Sequence, residues 1–159
     1  MGRILLLLVA MPIVCGPVSY LVGRVWKKAR DIFVQSAAAL ELLLVLSMAM
    51  GEDTAVRLEG FCGLGISFAS GGFHSLMAML TATGWLAPIL SDEYFAHIKR
   101  RNRYYLFWLV TLGAAMGVFL SADLYTTFLF FEVMSFTSYV SVVQTEEEEA
   151  LRAGGTYLA

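Results

Sequence analysis

The sequence has few charges for its length, and this scarcity excludes a soluble catalytic domain. Only 15% of its 159 residues are charged and 58% are hydrophobic, whereas a soluble domain has roughly 25% charged and 45–50% apolar residues. The net charge is −2, from 11 Lys and Arg against 13 Asp and Glu. No broad basic surface is therefore available for nucleic acid, and the composition indicates a membrane protein.

Cysteine and histidine are also scarce, with two of each. Cys15 and Cys62 lie among apolar or small residues without CxxC spacing, which favours packing over a disulfide framework or a zinc site. His74 and His97 are about one span length apart, so a haem held between them is not expected. The sequence has no GxGxxG, P-loop, HExxH or GxSxG motif. We therefore expect no cofactor and no metal on this chain.

Long apolar runs predict five transmembrane helices, since about 20 apolar residues cross the hydrocarbon core. The predicted spans are residues 4–25, 32–50, 73–90, 104–122 and 124–143. We expect an all-α integral membrane fold in which residues 1–159 form a single transmembrane domain. Residues 51–72 are acidic and then rich in glycine, so we expect an irregular loop or short hairpin outside the core. The first run is too long for a secretory signal peptide, and no A-x-A cleavage site follows it.

The distribution of basic residues predicts the orientation of the helices. The loops after spans one and three each carry four basic residues, whereas the loop after span two has one arginine among three acids and the turn after span four has none. Short cytoplasmic loops retain Lys and Arg, so we expect the N-terminus outside. Tyr104, Tyr105 and Trp108 then fall at the cytoplasmic interface, where aromatic rings are enriched. The expected location is a bacterial inner membrane.

Glu132 lies near the middle of span five, where a carboxylate costs roughly 2.5–3.5 kcal/mol on insertion scales. At 100° per residue, Tyr125, Phe128, Ser135, Phe136 and Tyr139 share its face, which we expect to look into the helix bundle. Intramembrane ionisable residues mark ion pathways and proton relays. The functional hypothesis is a proton relay at Glu132, and the structural alternative is a hydrogen-bonded glutamate that holds two helices together.

Four further residues are secondary candidates. Glu41 is deep in span two, but its face carries small and apolar residues that favour close helix packing. Tyr139 lies on the face of Glu132. His74 near the outer end of span three and Asp123 in the outer turn are expected at the membrane interface.

The acidic run at residues 146–149 favours a helix start over a calcium or partner site. Thr145 and Glu148 have the spacing of a capping box, and Glu148 with Arg152 forms an i,i+4 pair. Residues 145–159 are therefore predicted to begin a further helix, which becomes apolar at its end. On this interpretation the sequence is an N-terminal fragment that stops at the entry to a sixth span.

The last quarter of the chain resembles the antiporter-like membrane subunits shared by respiratory complex I, membrane-bound hydrogenases and multisubunit cation/proton antiporters. The resemblance rests on GVFLSADL at 117–124, FLFFE at 128–132 with Ser135 and Tyr139, EALRAG at 149–154, and Tyr157-Leu158. It implies that Glu132 corresponds to the membrane glutamate of that family, which pairs with a lysine two spans later. The sequence ends before such a lysine, and His74 stands where family members often have an aspartate.

The resemblance implies part of a proton-translocating membrane subunit of an NADH:quinone oxidoreductase-type or related redox-driven complex. A subunit of a multisubunit sodium/proton antiporter is the alternative with the same fold, and a structural scaffold without ion conduction is an alternative of another class. The expected partners are other membrane subunits and the lipid bilayer. The chain carries no ligands for iron–sulfur clusters, flavin or haem, so a redox centre is expected on other subunits.

Overall fold

The computed structural model of the protein describes residues 2–60, 65–89 and 101–143. Within these ranges the chain forms five helices and one hairpin of two strands: α1 Gly2–Val25, α2 Lys27–Ala49, β1 Ala55–Leu58, β2 Ile66–Ala69, α3 Gly72–Ile89, α4 Arg101–Phe119 and α5 Leu124–Val142. The number of helices agrees with the prediction. The predictions made for Cys62, His97 and residues 145–159 lie outside the described residues.

The first two helices meet at a single residue. Trp26 is extended, with φ −135° and ψ 107°, and it alone separates α1 from α2. The prediction of a basic loop between spans one and two is therefore wrong, because α2 begins at Lys27 and includes Lys28 and Arg30. Helix α2 can extend beyond its apolar run because Arg30 is buried and forms an ion pair with Asp31. Helices α1 and α2 are long and apolar enough, by length and composition, to cross a membrane.

Helix α4 lies at the centre of the bundle and packs against α1, α3 and α5, while α2 packs against α1 and α3. Helices α1 and α4 approach each other closely at two glycines. A Cβ atom added to Gly113 would lie 2.8 Å from the Val9 carbonyl oxygen, and one added to Gly16 would lie 2.8 Å from that of Leu106. Small residues of this kind allow helix backbones to meet. We call the packed faces of α1 to α4 the closed side.

The hairpin between α2 and α3 is antiparallel, with Val56 opposite Phe68 and Leu58 opposite Ile66. Strand β1 is largely exposed, but Ile66 and Phe68 of β2 are buried in the hydrophobic core. The predicted short hairpin is therefore confirmed, and its second strand contributes two side chains to the hydrophobic core of the bundle. Alternate residues of a strand point to opposite faces, so β2 can bury two side chains from a short segment. The described chain thus adds a small sheet to the predicted all-α fold.

Strand β2 also forms hydrogen bonds with the turn between α4 and α5. The amide of Ala69 donates to the carbonyl oxygen of Leu120 at 2.8 Å, and the amide of Ala122 donates to that of Ser67 at 2.9 Å. The ring of Phe68 packs against that of Phe130 in α5, with centroids 5.7 Å apart. The hairpin therefore sets where α5 begins and how it leans on α4.

Candidate functional site

The helices alternate in direction and give the bundle two chemically different ends. At one end, which we call the hairpin end, Gly2 contacts Val56 of the hairpin. At the other, the basic end, the side-chain amide of Asn102 donates to the carbonyl oxygen of Tyr20 at 2.9 Å. The described basic residues of the first and third loops of the sequence gather at the basic end: Arg24, Lys27, Lys28, Arg30, Arg101 and Arg103.

Glu132 is exposed on α5, midway along the helix. It follows Leu124 by eight residues, which is about 12 Å of helix from the hairpin end. Within the described residues it has no hydrogen bond and no ion pair. Phe128, Phe131 and Phe136 around it are also exposed. We call this face of α5 the open side, because it presents a carboxylate on an apolar surface that no described helix covers.

No described helix lies against the Glu132 face, so the prediction that this face looks into a helix bundle stays a prediction. The opposite face of α5 makes the contacts with α4. There the ring of Phe130 lies against the backbone of Gly117, where a Cβ atom would collide with it. Thr137 is buried and its hydroxyl lies 2.8 Å from that of Thr111. These contacts orient α5 and turn Glu132 outward.

Glu41 lies on the closed side and is completely buried. It precedes Ala49 by eight residues, so its distance from the hairpin end is also about 12 Å. Within the described residues, neither of its carboxylate oxygens has a hydrogen-bond partner. Val45 and Ala38 on the same stripe of α2 are buried with it, as expected for a packing face. Cys15 in α1 lies within electrostatic range of Glu41, a proximity that helical spacing within one span could not reveal.

Asp123 caps the N-terminus of α5. It accepts hydrogen bonds from the Thr126 amide at 2.7 Å and the Thr126 hydroxyl at 2.9 Å, and the hydroxyl of Ser67 also donates to it. The hydrogen bond from the Thr126 backbone is the main reason why the pKa of Asp123 is lowered; partial burial opposes this shift, and the Tyr125 amide and the Arg57 charge add to it. Asp123 therefore works as a helix cap held by the hairpin.

The last two predicted site residues, His74 and Tyr139, lie on different helices, α3 and α5. The Nδ1–H group of His74 donates to the carbonyl oxygen of Phe119 at 2.8 Å, which joins the start of α3 to the end of α4. Tyr139 is half-buried on α5, two turns beyond Glu132 and on the same face. The structure thus gathers Tyr139 and Glu132 on the open side and leaves Glu41, Asp123 and His74 elsewhere. Within residues 2–60, 65–89 and 101–143, no three His, Cys, Asp or Glu side chains are grouped to hold a metal ion.

Comparison with known proteins gives relatives that align with nearly the whole chain. An antiporter subunit named mnhD2 from Staphylococcus saprophyticus is 29% identical over 99% of this chain and 32% of its own length. A Na⁺/H⁺ antiporter subunit from Alkalihalophilus pseudofirmus is 24% identical over 99% of this chain and 33% of its own length. No family model matches the chain.

The fold is also found in a solved membrane complex. A chain of the membrane-bound sulfane sulfur reductase, an archaeal respiratory membrane complex, superposes with a TM-score of 0.86 at 19% identity, over 98% of this chain and 33% of that chain. The chain therefore spans about a third of the length of the relatives it matches. The similarity to antiporter subunits is therefore not confined to the last quarter of the sequence but extends over all five helices.

Proposed function

We propose that this chain is an antiporter-like membrane subunit and belongs to the proton-translocating part of a multisubunit membrane complex. Its relatives are named as antiporter subunits, and its fold occurs in a respiratory membrane complex. Glu132 is proposed as the carboxylate that takes up and releases the proton. The observation that carries this proposal is its position, since Glu132 is exposed midway along an apolar helix and has no partner within the described chain.

The position of Glu132 is energetically costly unless another group covers it. An ionised carboxylate near the centre of a bilayer is unfavourable by roughly 2.5–3.5 kcal/mol, so a lipid-facing Glu132 would destabilise the protein in the membrane. We infer that another helix covers the open side in the assembled complex and supplies a polar or cationic partner for Glu132. The family resemblance implies that this partner is a lysine two spans later. A carboxylate beside such a partner can exchange its proton as the partner moves or changes charge.

The two ends of the bundle support an orientation in the membrane. We propose that all five helices span it, with the basic end in the cytoplasm and the hairpin end and N-terminus outside, because Lys and Arg accumulate in short cytoplasmic loops. The bacterial inner membrane is the proposed location. Asp123 and His74 then lie at the outer surface, about 12 to 14 Å of helix from the depth of Glu132.

Two kinds of complex fit this protein. The names of the sequence relatives favour a multisubunit sodium/proton antiporter. The second candidate is a redox-driven assembly of the NADH:quinone oxidoreductase type or a related one, because the same fold occurs in a respiratory membrane complex. In the redox-driven case the electron carriers would lie on other subunits. Proton movement driven by added sodium would indicate the antiporter, and movement driven by an electron donor would indicate the redox complex.

The test is Glu132→Gln in the full-length gene, expressed with its partner subunits. Gln keeps the shape of Glu but cannot lose a proton, so proton transport in inverted membrane vesicles should fall about 100-fold, the lower range of a proton-transfer contribution. Glu52→Gln, an exposed acid before the hairpin, is the matched control and should transport normally. The amount of assembled complex is measured in the same vesicles.

The outcomes separate the proposal from the scaffold alternative. A normal transport rate per assembled complex in Glu132→Gln contradicts the relay. If the substitution lowers the assembled amount while each complex still transports normally, Glu132 is a structural residue of a scaffold.

A further inference from the structure

The basic end contains a cavity of about 800 Å³ between α1, α2 and α4. Its walls come from the last turns of α1 and the first turns of α2 and α4. The lining residues are Tyr20, Gly23, Lys27, Arg30, Asp31, Arg101, Asn102, Arg103, Leu106 and Phe107. A volume of this size can hold a group as large as a lipid headgroup.

The cavity is strongly positive. Among the described residues that line it, four are cations and one, Asp31, is an anion. Asp31 is already engaged, because the guanidinium of Arg30 donates to its Oδ1 from Nε at 2.9 Å and from Nη2 at 2.7 Å. The first turn of α2 contains no acidic residue, so the positive end of the α2 dipole adds to the positive charge at the cavity.

The shape of the cavity is set by a buried scaffold. Arg30 is 4% exposed and lies over the ring of Tyr105, 5.0 Å from its centroid. Its Nη1 also reaches Oδ1 of Asn102 at 3.4 Å. A Cβ atom on Gly23 would collide with Asn102, so the glycine keeps α1 close to α4. Arg30 and Asn102 therefore form a fixed part of the wall, and Lys27 and Arg101 line the same space.

The remaining wall is apolar and distinguishes a lipid from a small anion. Leu106 and Phe107 are half-buried on α4, and Tyr20 is exposed on α1. Such side chains can cover the glycerol and upper acyl carbons of a phospholipid, whereas a free phosphate ion has nothing to place against them. Basic pockets between helices on the cytoplasmic side suit anionic headgroups.

We propose that this cavity binds the phosphate headgroup of an anionic phospholipid from the cytoplasmic leaflet, with Lys27 and Arg101 as its main charge partners. The proposal rests on the membrane orientation given above, but it is independent of Glu132. The lipid would fill the space between α1, α2 and α4 at the membrane surface and hold these helices together there.

The experiment uses the full-length protein purified in its complex and delipidated in detergent. Native mass spectrometry then measures retention of added phosphatidylglycerol and phosphatidylcholine. Phosphatidylglycerol should be retained in preference, and Lys27→Gln and Arg101→Gln should each weaken its retention about fivefold, the effect of one basic residue near an anionic leaflet. Lys28→Gln is the matched control, since Lys28 is the exposed neighbour of Lys27 and does not line the cavity.

Three results would overturn the proposal: equal retention of the two lipids by the unmodified protein, unchanged retention in Lys27→Gln and Arg101→Gln, or displacement of the lipid by inorganic phosphate. The last would identify the site as one for a small phosphate. Glu132→Gln is expected to keep its lipid, and Lys27→Gln to keep measurable proton transport. Failure of the lipid site and failure of the proton relay are therefore seen in separate measurements.

Discussion

Glu41 and Glu132 stand at the same depth in the bundle and have opposite surroundings. Each lies eight residues, or about 12 Å, from the hairpin end of its helix. Glu41 is enclosed by α1 to α4 on the closed side and has no hydrogen-bond partner among the described residues. Glu132 is exposed on the open side of α5. Both are single acids within an apolar run, but the Glu41 face carries small and apolar residues, whereas the Glu132 face carries hydroxyl groups.

The two acids differ in whether a proton donor or acceptor can reach them. A group that transfers protons must meet a donor and an acceptor during each cycle. Glu132 can do so because its face is available to a further helix or to water in a complex, whereas Glu41 is sealed by packed side chains. We therefore interpret Glu41 as part of the closed side and Glu132 as the working carboxylate.

The largest effect on stability is expected from a substitution inside the closed side. Gly113→Ala would place a Cβ atom 2.6 Å from Cγ1 of Ile13 and 2.8 Å from the Val9 oxygen, and overpacking of this kind costs about 1–3 kcal/mol. Thermal unfolding of the detergent-solubilised protein should show a lower Tm. Gly84→Ala is the matched control, because an added Cβ there has nothing within 4 Å. An equal Tm for both variants would contradict the close approach of α1 and α4.

An intermediate effect on stability is expected at Asp123, in the turn between α4 and α5. Asp123→Ala removes the cap of α5 and should destabilise the protein by about 1 kcal/mol. The folded-state pKa of Asp123 is lowered, so its stabilising contribution is complete above the ordinary Asp pKa of about 3.9 and is lost as the pH falls through the lowered value. The Tm difference between the unmodified protein and Asp123→Ala should therefore be largest near neutral pH and shrink in acid.

The exposed Asp53 provides the control for this pH dependence. Asp53→Ala should change the stability by no more than about 0.5 kcal/mol. A Tm difference for Asp123→Ala that grows in acid would show that the carboxylate is not the stabilising form.

The smallest effect is expected from Glu41→Gln, in which both the stability and the proton transport rate should change little. Gln has nearly the same size as Glu, so the packing of α2 should be preserved. Because Glu41 is enclosed, proton transport should stay within about twofold of the unmodified rate, against the roughly 100-fold loss expected for Glu132→Gln. A comparable loss in both variants would mean that the closed side also conducts protons.

The helices could be predicted from the sequence to a greater extent than the site. Apolar runs gave five helices because burial in lipid requires long uninterrupted segments. The start of α2 was missed because Arg30 satisfies its charge within the protein, and the burial of Ile66 and Phe68 was missed because a four-residue strand gives a weak pattern. The helix that covers Glu132 could not be identified, since periodicity defines a face of a helix but not what packs against it.

The most direct test of the central claim is infrared difference spectroscopy of the full-length complex during turnover, which records protonation changes of carboxyl groups. We expect a carboxylic acid band that appears and disappears with proton transport, is absent in Glu132→Gln and is retained in Glu41→Gln. A band that persists in Glu132→Gln and is lost in Glu41→Gln would assign the transferred proton to the closed side and contradict the account.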